Sequence, residues 1–435
     1  MEKSWKISTQ SVALGVLILT IRASFVSSGE ISTKSLRGIF QETNLEVSRD
    51  PATYEGRQGI QSFLSWRLSS FVSTVTSSGK AGGAEHNQFL QQNFETKVFH
   101  TPTMERNITG TNYLVVFHGS KNASEDAPLV ILANYDTDES EVNPVDDNGS
   151  GIVALVALAE HVSHQIVTGK LVLERTLIFA ATDMALGKYE YGLPDGARTG
   201  AEALVQLYLP QMMQGRSRFG GAIVLDSIMN YNDEERSQSQ YGGLFDKAFP
   251  LAYQEMSKRN FKGDFLAMVF RDDELDTPLV QAFERGWRST SKSMRSEAEV
   301  DIDPALVRFS YTQSTFNAHA PSAIHFLHSE QAPFWNHFVP EIHRKLPTKE
   351  FPALLLTDTE KYRKAECASS GCTITKMVTD APKNVEFLKR TVNALYATII
   401  DLQVDGNRNS APTTAGYSSL FSIVTGIVMH RVLFL

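Results

Sequence analysis

Four short apolar runs, each closing on a polar or acidic residue, set the tightest limit on how this chain folds. They are Asn112–His118, Leu129–Asn134, Leu171–Thr182 and Ala222–Leu225, the last followed at once by Asp226. Continuous apolar runs of this kind suit strands covered on both faces. Stretches of helical period separate and follow them. Gly149–Ser163 carries Ile152, Val153, Leu155, Val156, Leu158, Ala159 and Val162, and Ala197–Met213 and Glu386–Leu402 continue the pattern. Strands alternating with helices predict an α/β fold, a largely parallel sheet with helices on both sides. Ligand sites in such sheets form beyond the carboxyl ends of the strands. Asp136, Asp147 and Asp226 all fall there. Three carboxylates in one crevice repel one another unless a cation lies among them.

The chain has 435 residues, 42% of them apolar, enough for one large α/β domain with a small appendage. A net charge of −8 without a basic run argues against nucleic acid or an anionic membrane surface as an electrostatic partner. Residues 29–100 read as an N-terminal, mostly helical region packed on the core, with Ile60, Phe63, Leu64, Leu68 and Phe71 at helical spacing. Residues 101–404 read as the α/β domain, and 232–330 is its least periodic part.

Both ends carry processing signals. Lys3 and Lys6 precede the apolar run Val12–Ile21, and Ser27, Ser28 and Gly29 follow, the order of a secretory signal peptide over residues 1–28. The apolar run is too short to span a membrane, which takes roughly 20 residues. At the other end, the small residues Asn409-Ser410-Ala411 precede a polar spacer and the apolar tail Leu420–Leu435. That order fits a glycosylphosphatidylinositol (GPI) anchor signal over 405–435, attached at Asn409; a short apolar tail is the alternative. Both signals lead to an expectation of the extracellular face of the cell surface, held to the membrane by lipid. Cys367 and Cys372, the only cysteines, are expected to form a disulfide in such a secreted chain. Asn107 and Asn122 begin acceptor sequons in turn-like contexts. A third sequon, at Asn148, lies inside the acidic crevice and is expected to stay bare.

Residues 58–400 resemble metallopeptidase family 28, the two-zinc exopeptidases that include bacterial leucyl aminopeptidase and aminopeptidase Y. The resemblance is carried by Gly110-Thr111-Asn112, Asp146-Asp147-Asn148-Gly149-Ser150-Gly151 and Thr176–Asp183, followed by Ala222–Asp226. Ser329–Trp335, Pro352–Thr359 and Asp380–Asn384 continue it in the family's order. It implies a zinc-aminopeptidase-like three-layer sandwich with a mostly parallel mixed sheet.

The resemblance also implies five ligands for two zincs (His, bridging Asp, Glu, Asp, His) and a Glu general base. Asp147 stands at the bridging position, Asp226 at the fourth ligand and Asp136 at the position that orients the first ligand. The first histidine is replaced by Asn134, whose amide is a poor ligand. Ala185 stands at the general base and Leu186 at the ligand Glu. A shift of register would bring in Asp183 or Glu190 instead. The last histidine corresponds to Lys376, and the interval Cys367–Asp380 has no histidine. Lys376 is either a cation set between Asp147 and Asp226 or a solvated loop lysine. His319, His325, His328, His337 and His343 lack the spacing of a metal motif.

The reading that follows is a catalytically inactive pseudopeptidase ectodomain, similar in type to nicalin and nicastrin. Gly187–Gly192 is a further point of similarity to nicalin. Such a protein binds or supports an unnamed protein or peptide partner and needs no cofactor. The alternative is an active zinc-dependent aminopeptidase with a remodelled site, in which Asp147 and Asp226 hold the metal.

Overall fold

The computed structural model describes residues 29–51, 54–79, 87–101, 103–138, 141–185, 196–240, 245–293, 300–312, 326, 329–335 and 351–404. The signal and tail segments, Asn409, Leu186, Gly187–Gly192 and the five clustered histidines lie outside the described residues.

Strands β1 (Gln88–Thr101), β2 (Met104–Phe117), β3 (Leu129–Asn134), β4 (Leu177–Thr182), β5 (Gly221–Leu225), β6 (Phe265–Arg271), β7 (Ala305–Tyr311) and β8 (Ala353–Thr357) form one sheet. Its order is β1-β2-β4-β3-β5-β8-β6-β7. The middle strands β4, β3, β5 and β8 run parallel. They are flanked by antiparallel β2 on one side and antiparallel β6 on the other, and β6 pairs parallel with β7. The fold is thus α/β with a mixed, mostly parallel sheet.

Every residue of β3, β4, β5 and β8 is buried, and the two-residue period of a strand splits them between two cores. Ile131, Ala133, Phe179, Ala181, Ile223 and Leu225 face one core. That core is completed by helices α1 (Thr33–Glu42), α2 (Tyr54–Ser78) and α3 (Gly149–Val167), and by two later helices, Thr277–Ser293 and Pro382–Val404. Val130, Leu132, Ile178, Ala180, Ala222 and Val224 face the other. There they meet α4, a run made of Gly200–Ala203, Leu204–Tyr208 and Leu209–Met212, and α5 (Pro250–Lys258). The later helices of the first core are α6 (Thr277–Ser293) and α7 (Pro382–Val404). Three layers result because neither face of the sheet is polar enough to meet water.

Three sequence expectations need correction. Residues 29–100 are helical only as far as Ser78, and Gln88–Thr101 is strand β1. Its alternation is confined to Phe94, Thr96 and Val98, which are buried, and is masked in sequence by Gln91, Gln92, Asn93 and Glu95. Strand β2 begins at Met104, not Asn112, because its exposed first half pairs only with β1, whereas Tyr113–Phe117 also pairs with β4. The run Leu171–Thr182 is strand only from Leu177. Before that, the amides of Glu174 and Arg175 donate to the Gln403 side chain and not to a neighbouring strand.

One buried histidine reports on the packing of α3 against α7. His161 is 6% exposed and meets the Tyr396 ring edge-on at 4.5 Å. Burial lowers its pKa from 6.5 to about 4, with smaller repulsion from His164 and Lys170. The folded state therefore resists a proton that the unfolded chain accepts. Its contribution to stability is complete above pH 6.5 and is lost as pH falls towards 4. An NMR titration of the His161 ring should give a midpoint near 4. In the same window the His161→Gln protein should lose less stability with acid than the parent.

Candidate functional site

The carboxyl ends of β4, β3 and β5 lie side by side, with Asn134 opposite Thr182 and Leu132 opposite Val224. The amino end of α3 points at the same place, and its N-cap Asn148 joins the three segments. The Asn148 side-chain oxygen accepts from the amides of Gly151 and Ser227, both at 3.0 Å. Its amide nitrogen donates to Asn134 Oδ1 at 2.9 Å and to the Leu225 carbonyl at 2.7 Å. A Cβ on residue 151 would sit 2.2 Å from that oxygen, so the Asn-Gly-Ser-Gly turn requires glycine there. The Asp147–Asn148 peptide bond is cis.

Asn134 is wholly buried, and its polar atoms are engaged. Besides accepting from Asn148, it donates to the Asp136 carbonyl at 3.1 Å and lies 3.5 Å from Asp136 Oδ1. The other Asp136 oxygen accepts the Ala185 amide at 2.9 Å. Asp136 therefore anchors the backbone at Ala185. Asp183 does not rescue the ligand set. Its carboxylate pairs with Arg57 at 2.5 Å and accepts the Thr111 amide at 2.9 Å. Burial still lifts its pKa to about 6, against the pull of Arg57 and with a further push from Asp136.

The segment Ser329-Glu330-Gln331 lies across the strand ends. Ser329 Oγ donates to Asp226 beyond β5 at 2.8 Å, and Glu330 accepts from Thr182 Oγ1 at the end of β4 at 2.8 Å. Gln331 is buried and donates to the Phe326 carbonyl. Asp226 is only 1% exposed, whereas Asp147 is half-buried.

The cation near these acids is not Lys376. Lys376 Nζ donates to Ser370 O, Ser370 Oγ and Gly371 O at 2.8–3.0 Å, so it closes its own loop. Of the two alternatives for this residue, the contacts are those of the loop lysine. Arg49, 0% exposed, supplies the buried positive charge. Its guanidinium donates to the carbonyls of Tyr135 at 2.6 Å, Leu45 at 2.8 Å, Pro144 at 3.0 Å and Asp147 at 3.3 Å. Burial lowers its pKa to about 10, opposed by the charges of Asp147, Asp136 and Glu141. No motif surrounds Arg49, and only the tertiary fold brings it to the crevice from before α2.

A second buried charge group lies behind the crevice. Asp146 and Asp358 are neighbours here, and burial raises both pKa values. Asp146 accepts the Met229 amide and Asp358 the Asn230 amide, at 3.2 and 2.8 Å. The nearby Arg363 charge lowers the Asp358 pKa, opposing burial. The pair thus shapes the loop that leaves Asp226.

Among the described residues, the donors at this crevice do not make up a zinc site. Among the described residues, no three His, Cys, Asp or Glu side chains are grouped to hold a metal ion. Asn134 and Asp136 are tied to each other and to neighbouring backbone, Ala185 has no donor, and Asp147 and Asp226 remain. Two carboxylates without imidazole or thiolate do not form a zinc site.

Cys367 and Cys372 are joined, Cα to Cα 5.0 Å. Their loop is held by Cys372 N donating to Val142 O at 3.2 Å and Ile374 N donating to Glu46 at 2.9 Å. Asn107 and Asn122 are exposed, but Asn107 lies in strand β2 and not in a turn. Asn148 is 0% exposed and closed to a glycan.

Removing one partner of a buried charge group costs about 3–5 kcal/mol, because the remaining charges stay desolvated. Arg49→Met should therefore lower unfolding stability in urea by about that amount. Lys376→Met should cost less than about 1 kcal/mol, the scale of an exposed contact.

No protein-family profile matches this chain, and no curated protein matches it. Solved structures of similar course include a Zn-dependent exopeptidase from Parabacteroides distasonis, 12% identical, TM-score 0.45, covering 85% of this chain and 98% of that one. An aminopeptidase from Legionella pneumophila is 14% identical, TM-score 0.47, with 92% and 77% covered. A glutaminyl cyclase from Porphyromonas gingivalis is 13% identical, TM-score 0.45, with 86% and 98% covered.

Proposed function

We propose that this chain is a non-catalytic, zinc-aminopeptidase-like ectodomain that binds or supports a protein or peptide partner at the cell surface. The observation that carries the reading is the hydrogen-bonded closure of Asn134, Asp136 and Ala185. These stand at the first ligand, the ligand-orienting acid and the general base. A working two-zinc site needs open ligand atoms, a base for the metal-bound water and positive charge to stabilise the oxyanion. Here the ligand atoms are engaged and the base is a methyl group. The buried cation is an arginine turned towards backbone carbonyls.

The second reading is an exopeptidase with a remodelled zinc site. Half-buried Asp147 favours it, since one carboxylate at the bridging position remains within reach of solvent.

Metal analysis of the purified ectodomain separates the two, run together with hydrolysis of aminoacyl chromogenic substrates with and without chelator. The pseudopeptidase reading expects less than stoichiometric zinc and no chelator-sensitive turnover. About two zincs per chain together with such turnover would overturn it. Membrane attachment through Asn409 predicts release of the protein from intact cells by phosphatidylinositol-specific phospholipase. Retention on the cells after complete digestion would remove the anchor from the proposal.

A further inference from the structure

Two helices lead from the crevice to the opposite edge of the sheet. α3 starts at the crevice with its N-cap Asn148. α7 starts beside the loop that leaves Asp226, where the Tyr231 amide donates to Asn384 at 3.0 Å. At the far edge, the Gln403 side chain near the end of α7 accepts the amides of Glu174 and Arg175, just ahead of β4. With 23 residues, α7 holds its two ends about 34 Å apart.

The far edge mixes both signs of charge with an exposed apolar side chain. The turn after α3 presents Lys170 and Val172, and Val172 is 71% exposed. Next to it, Lys121 pairs with Glu174 at 3.0 Å. Exposed Asp272 and Glu274 follow β6, which runs antiparallel to β8 and so ends at the same edge. Anionic lipid attracts runs of basic residues, and this mixed face suits zwitterionic headgroups instead.

We propose that this edge is turned to a zwitterionic bilayer and that the crevice faces away from it, so that its partner arrives from the aqueous side. The inference rests on the attachment at Asn409 in the reading above, and not on the loss of catalysis. Asn409 is five positions beyond Val404, the last residue of α7. Fully extended, five residues reach at most about 18 Å. An inverted molecule, its crevice against the lipid, would lift the end of α7 by about 34 Å, beyond that reach. In the upright molecule the turn bearing Val172 comes down beside the tether, because the Glu174 amide is bonded to Gln403. A segment buried in the same bilayer then lies on the wrong side to enter the crevice, whereas a soluble protein or peptide has open access.

The test is resonance energy transfer on the anchored protein, purified from cell membranes and placed in phosphatidylcholine vesicles that carry an acceptor-labelled lipid. Val172→Cys and, at the crevice mouth, Val142→Cys each take the same donor dye; Val142 is 57% exposed. Transfer from position 172 should exceed that from position 142 about twofold or more, because about 34 Å of helix separates the two edges. Both side chains are exposed, so both labelled proteins should keep the parent's melting temperature. Phosphatidylinositol-specific phospholipase should abolish both signals. Equal transfer from the two positions, or stronger transfer from 142, in protein that the phospholipase still releases would overturn the orientation and leave the anchor standing. Protein that does not join the vesicles, or is not released from them, would remove the attachment and the inference with it.

Discussion

Asn148 is the point on which the crevice depends. One buried side-chain amide caps α3, ties the end of β5 to the loop beyond it and holds Asn134 at the end of β3. Its two donors and two acceptor positions are all used. Leaving any of the partner groups without a bond in this dry interior would cost on the order of 1–3 kcal/mol. A shorter or apolar residue at position 148 would break all of these contacts together.

Electrostatics follows from that geometry. Bringing strand ends and helix start together also gathers Asp136, Asp146, Asp147, Asp183, Asp226 and Asp358, most of them buried. The molecule answers with three devices in place of one. Arg49 and Arg57 approach from the N-terminal region, burial raises the pKa values of Asp146 and Asp358, and backbone amides of Ala185, Met229 and Asn230 solvate the carboxylates. Charge balance is therefore distributed across the fold.

Much of the architecture was legible before the structure. Continuous apolar runs identified β3 and β5 closely and most of α3 and α7, because burial on both faces or along a whole helix leaves a strong pattern. The legible part of the site was its donor chemistry. Asn134 and Ala185, where the resemblance implies a histidine and a glutamate, are visible in the residues themselves. The β1–β2 hairpin was missed because its polar residues hide a two-residue period. The early end of the Leu171–Thr182 run was missed because its amides turn to Gln403, more than two hundred positions away.

The sequence by itself determined the layered α/β class and the crowding of acids at strand ends. Each depends on residue type and local period. The tertiary structure decided which cation answers the acids. Lys376, the nearer candidate by motif, folds back on its own loop, while Arg49 arrives from a distant segment that no spacing rule connects to Asp147.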